Sequence, residues 1–129
     1  MSVDGTHVKF GNIFSGDIAN QGANLTKIWT HELLHTLGLP DLAGRAVGWD
    51  PLAVGSEPPS LTHLLGWHKW LLGWIDPPQL TCLSTPGTLE ETLTPMAVRG
   101  GKKLAVVPIS DTLAYAVEAR KRIGFDKNA

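Results

Sequence analysis

The sequence predicts an α+β fold, with two helices and irregular chain over residues 1–78 and a small antiparallel β segment over residues 79–129. Three observations carry this prediction. LTKIWTHELLHTL, residues 25–37, and SLTHLLGWHKWLLGW, from Ser60, both read as helices bounded by capping and breaking residues. Residues 39–60 between them are rich in Gly and Pro, which marks irregular chain. After Pro78 come GTLEETLTPM, KKLAVVPI and LAYAVEARKR, short, partly alternating runs separated by turn signals. The change of character places a boundary near residues 77 to 86.

Each element has a local reason. HVKFGNIF, residues 7–14, can hold a short strand broken at Gly11. SGDIANQGAN follows as a polar loop, and its Asp and Asn residues lack the regular spacing of a calcium loop. Asn24 is the expected N-cap of the first helix and Gly38 its C′ residue, and Pro40 stops continuation. Ser60 is the expected N-cap of the second helix, which Gly73 and Asp76-Pro77-Pro78 close. Ser110-Asp111-Thr112 reads as the turn of a hairpin, and Pro108 points to an edge strand.

Composition narrows the function classes. At 129 residues the chain suits one modest core, and 43% apolar against 18% charged residues is a globular balance. A net charge of -1 gives no electrostatic basis for binding nucleic acid or an anionic membrane. No apolar run is long enough to span a bilayer. The opening MSVDGTHVKF has neither the charged nor the apolar region of a signal peptide. Cys82, the single cysteine, excludes an internal disulfide and reads as inert.

HELLHTLGLPDL, residues 31–42, carries the chemistry. Residues four apart lie on one face of a helix, so His31 and His35 can offer nitrogens to one zinc ion. Glu32 sits about 100° round the helix, where it suits a general base better than a third ligand. Gly38 allows a sharp bend, after which Asp41 can swing back and give a carboxylate oxygen. HExxH alone should arise by chance in roughly one such sequence in a hundred, and the added Gly and Asp lower that to a few in a hundred thousand. Zinc therefore outweighs the plain alternative, a core helix whose histidines only satisfy local hydrogen bonds. Trp29, Leu33, Leu34 and Leu37 make this helix apolar nearly all round and suggest burial.

A different third ligand is open to Glu57, 22 residues after His35. Some zinc peptidases take a Glu from a second helix about this far downstream. Glu57 lies in GSEPPS, ahead of the second helix and beside two prolines, so Asp41 is preferred.

THELLHTLGLPDL, GWDPLA and HLLGWHKWLLGWID together resemble the immune inhibitor A-like metallopeptidases, secreted zinc endopeptidases with a metzincin-like catalytic domain. The resemblance is close over residues 25–76 and looser over 86–126. It implies His31, His35 and Asp41 as zinc ligands, Glu32 as general base, a metzincin-like subdomain, secretion, and a protein or peptide as substrate. Leu52 stands where that family has the methionine of its apolar floor, a swap that conserves volume. Family domains are longer on the N-terminal side, and only 30 residues precede His31 here, so a truncated form is expected. The second reading is a non-catalytic module that holds zinc for folding, or a remnant that holds nothing.

The remaining residues have plainer readings. Trp67, Trp70, Leu71 and Trp74 recur at helical steps and suit packing more than a substrate pocket. His63 and His68, five apart, read as structural or exposed. Asp50 is expected to cap a turn rather than to accept from a zinc-bound histidine. Tyr115, the only tyrosine, lies in a predicted strand and takes no assigned role. EARKR, residues 118–122, reads as a solvated strand face.

Overall fold

A computed structural model describes residues 2–3, 6–7, 22–43, 46, 48–54 and 61–129. The chain forms two compact units, Met1–Leu64 with Asn128–Ala129, and Leu65–Lys127. Among the described residues the architecture is α+β, with two α-helices and a small three-stranded sheet as its main elements.

In the N-terminal unit, β1 (Ser2–Val3) pairs antiparallel with β2 (Thr6–His7). The rest of the expected strand, residues 8–14, and residues 15–21 of the polar loop lie outside the described residues. A 3₁₀ turn at Gly22–Asn24 leads directly into α1 (Leu25–Thr36). Asn24 holds the N-cap position expected from sequence, though not with the usual capping geometry. Its backbone is already helical, at φ -90° and ψ -5°, and its side chain makes no capping hydrogen bond. Gly38 ends the helix as expected, at φ 87°, and its N–H donates to the His35 carbonyl at 2.9 Å. After this bend, β3 (Leu42–Ala43) pairs parallel with β4 (Ala53–Val54).

Burial of α1 departs from the sequence expectation. Only His31 and Leu34 are buried, whereas Trp29 is 51% and Leu33 67% exposed. An apolar helix surface is a capacity for packing, and whether it is covered depends on what tertiary structure brings against it. The buried apolar residues of this unit include Leu34, Leu39, Leu52 and Ala53.

In the C-terminal unit, α2 is much shorter than expected, Gly66–Leu71. Ser60, its expected cap, lies outside the described residues. The helix begins late because Leu65 is extended, at φ -53° and ψ 147°. The Gly66 N–H donates to the Glu118 carboxylate instead of continuing a helical ladder backwards. The helix end follows expectation. Gly73, at φ 70°, donates to the Trp70 carbonyl, and Trp74 donates to that of Lys69, a Schellman closure.

The sheet has the order β5 (Leu80–Cys82), β6 (Leu104–Ser110), β7 (Leu113–Glu118). The β6–β7 hairpin is antiparallel and turns at residues 111–112, as the sequence indicates. The β segment is nevertheless mixed rather than antiparallel throughout, because β5 pairs parallel with β6. GTLEETLTPM contributes no strand. It holds only an isolated bridge from Leu93 to Lys102 within the connection that parallel pairing requires. Pro108 lies on the central strand and not on an edge strand. It is tolerated because β5 pairs only with Leu104, Ala105 and Val106, so β6 is locally an edge by Pro108.

Ile75, Leu104 and Val106 form the core of this unit, with Trp70, Leu80 and Ala114 packed against it. Of the tryptophan stripe only Trp70 reaches this core, and Trp67, Leu71 and Trp74 remain substantially exposed. The compact units divide ahead of α2, whereas the change in composition lies near residues 77 to 86. The reason is that α2 packs on β7 and so belongs with the sheet.

EARKR is not wholly a solvated face. Arg120 pairs with Glu118 at 3.1 Å and with the fully buried Asp126 at 3.3 Å. Lys121 and Arg122 are the exposed members of the run. His68 is buried and His63 half-buried. A Cβ added at Gly66 would meet Glu118 Oε2 at 2.7 Å and Leu104 Cδ1 at 3.1 Å. Gly66→Ala is therefore expected to cost about 1–3 kcal/mol through overpacking, more than helix propensity returns. Chemical denaturation of the variant and unaltered chains measures the difference.

Candidate metal centre

The N-terminal unit brings His31, His35 and Asp41 together, with their ligand atoms within 4.8 Å of one another. The helix sets the first pair. His31 and His35 are one turn apart on α1, and their rings meet edge to face with centroids 4.7 Å apart. The bend at Gly38 sets the third member. Asp41 follows that bend, and Leu42 is then held by pairing with Ala53 and by its N–H to the Leu52 carbonyl at 2.8 Å.

The distances form a nearly regular triangle. Nε2 of His31 lies 3.1 Å from Nε2 of His35, and Asp41 Oδ1 lies 3.2 Å and 3.3 Å from the two nitrogens. A tetrahedral ion bonded at ~2.0–2.1 Å to N and O ligands holds those ligands roughly 3.3 Å apart. The triangle fits such an ion.

Hydrogen bonding gives an independent reason. His31 Nδ1 lies 2.8 Å from the Pro51 carbonyl oxygen, and His35 Nδ1 lies 2.8 Å from that of Leu39. A carbonyl oxygen only accepts, so each Nδ1 must donate its hydrogen. This leaves Nε2 of each ring as the atom a metal would take. A carboxylate likewise only accepts. Nε2 of each ring and the Asp41 oxygen thus converge, and a cation bound among them would be held by all three. His31 is 8% exposed, whereas the Asp41 side chain is 53% exposed, so the site opens to solvent on the Asp41 side.

Glu32 is half-buried on α1 beside His31. Leu52 is fully buried in the turn that carries Pro51. Asp50 is also fully buried and caps that turn, its Oδ1 accepting from the Leu52 N–H at 2.7 Å. Glu57 lies outside the described residues. Tyr115 is exposed on β7 and Cys82 is exposed and free. The two carbonyls that orient the histidines were not legible in the sequence, because any residue type supplies a backbone oxygen. The one available signal was the tight return after Gly38, which brings Leu39 back toward His35.

A groove of about 350 Å³ runs along Leu25, Thr26, Trp29, Thr30 and Leu33. At about 100° per residue this is the side of α1 facing away from His31 and His35, so it is separate from the metal centre. In the C-terminal unit, burial and the nearby Arg120 cation lower the Lys69 pKa, with Asp126 and Glu118 opposing, and burial lowers that of Lys103.

Gly38 can be tested directly. No atom of the described residues lies within 4 Å of an added Cβ, so Gly38→Ala meets no steric clash with them. Its cost is the left-handed backbone alone, about 1–2 kcal/mol. The variant is expected to fold with reduced stability, with a smaller loss in Gly38→Asn, as thermal unfolding would show.

Comparison with protein-family models, curated proteins and solved structures finds no match to this chain.

Proposed function

We propose that the chain carries the zinc site of a metalloendopeptidase. The observation that carries the reading is the convergence of His31, His35 and Asp41, with both histidines held through Nδ1 and Glu32 following the first of them on α1. Two imidazoles, one carboxylate and an open side form the donor set of a catalytic zinc rather than of a closed structural one. The resemblance of HELLHTLGLPDL, GWDPLA and HLLGWHKWLLGWID to the immune inhibitor A-like peptidases supports the same reading. It makes the subdomain metzincin-like, the substrate a protein or peptide, and the working environment extracellular.

The roles follow from the residues. Zinc bound there lowers the pKa of a water molecule and polarises a peptide carbonyl. His31 and His35 present Nε2, each held in register by its Nδ1–H to a backbone carbonyl. The Glu32 carboxylate takes a proton from the attacking water as its oxygen bonds to the amide carbon. It then delivers that proton to the departing nitrogen as the carbon–nitrogen bond breaks.

The test is metal content and proteolysis of the purified chain. One zinc per chain is expected, together with cleavage of an unstructured protein that a chelator abolishes and added zinc restores. Zinc without cleavage would assign the site to the non-catalytic alternative. Failure to bind zinc would overturn the metal reading.

A further inference from the structure

We infer that Asp50 is a positioning residue for the metal centre, acting through the backbone of its own turn. The inference rests on the zinc reading above and adds the device that aims one of its ligands. Asp50 is 0% exposed, and its Oδ1 accepts from the Leu52 N–H at 2.7 Å while its backbone carbonyl accepts from the Ala53 N–H at 3.1 Å. These two bonds close the turn on both sides of Pro51.

Pro51 has no N–H of its own and a fixed φ, so its carbonyl direction follows from how its neighbours are held. That carbonyl meets His31 Nδ1 at 2.8 Å. The Leu52 carbonyl in turn accepts from the Leu42 N–H at 2.8 Å, one residue after Asp41. One turn therefore holds His31 through Pro51 and anchors the chain beside Asp41 through Leu52. A buried carboxylate is a costly way to cap a turn. Here it orients the carbonyl that holds His31 Nδ1 and so aims Nε2 toward Asp41.

The consequence is specific. Losing the Asp50 oxygen releases the Pro51 carbonyl, and His31 Nδ1–H loses its fixed acceptor. Outer partners of metal-bound histidines typically contribute 10–100-fold to metal affinity. Asp50→Ala is expected to weaken zinc binding within that range. Asp50→Asn keeps an oxygen at the same reach and is expected to restore most of it. Asp50→Ser makes the same kind of turn more weakly and is expected to fall between, and it serves if the alanine variant does not fold.

The experiment titrates the full chain and each variant with Zn²⁺ against a competing chelator, and records the visible spectrum of the Co²⁺-loaded proteins. The expected result is an affinity order of unaltered, Asn, Ser, Ala, with an altered Co²⁺ spectrum in the Ser and Ala variants. A purely structural role would lower the melting temperature and leave affinity and spectrum of the folded protein unchanged, and that result overturns the inference alone. Absence of Zn²⁺ binding by the unaltered chain overturns the zinc reading and the inference with it.

Discussion

Asp41→Ala is expected to lower zinc affinity by at least about 10²-fold, whereas Glu57→Ala leaves it unchanged. Loss of an outer partner already costs 10–100-fold, and Asp41 is proposed as a direct ligand. Its Oδ1 stands 3.2 Å and 3.3 Å from the two imidazole nitrogens and brings the only formal negative charge of the three ligands. Two neutral histidines alone hold a divalent ion weakly. The Asp41 side chain is 53% exposed, so its truncation leaves no buried cavity and the fold should persist. Circular dichroism of the metal-free proteins checks the fold, and chelator competition reads the affinity. Loss of zinc in Glu57→Ala but not in Asp41→Ala would overturn the choice of third ligand.

Glu32→Gln should lower kcat/KM for peptide cleavage by about 10²–10⁴-fold, the usual contribution of a general base. Gln has nearly the shape of Glu, so packing around α1 is kept, but its amide cannot take the proton from water. Glu32 is not among the converging ligand atoms, so zinc content should equal that of the unaltered chain. The pairing of lost turnover with retained metal separates a proton carrier from a ligand. A fluorogenic peptide assay beside metal analysis gives both quantities, and equal rates in the two proteins would remove Glu32 from the mechanism.

The local elements were largely readable because their causes are local. The i, i+4 spacing put His31 and His35 on one face, and Gly38 was needed where the backbone turns left-handed. The β6–β7 hairpin followed from two apolar runs around a polar turn. Errors arose wherever a distant partner decided. Asn24 took the N-cap position but made no side-chain capping bond, its backbone already helical at the end of a 3₁₀ turn. The second helix lost its first turns once Gly66 found the Glu118 carboxylate. EARKR looked solvated until Asp126 folded back onto Arg120.

The sequence by itself determined the donor set: two histidines a helical turn apart, a carboxylate beyond a glycine bend, and a glutamate beside the first histidine. Helix periodicity and glycine conformation act over a few residues, so they are written in the order of the chain. Only the tertiary structure decided that Nδ1 of each histidine is spent on a carbonyl, leaving Nε2 to face Asp41. Those acceptors are main-chain oxygens of Pro51 and Leu39, and the Pro51 oxygen is aimed by a buried Asp50 nineteen positions after His31. A backbone carbonyl has no side-chain identity, so its direction exists only once the turn that carries it has folded.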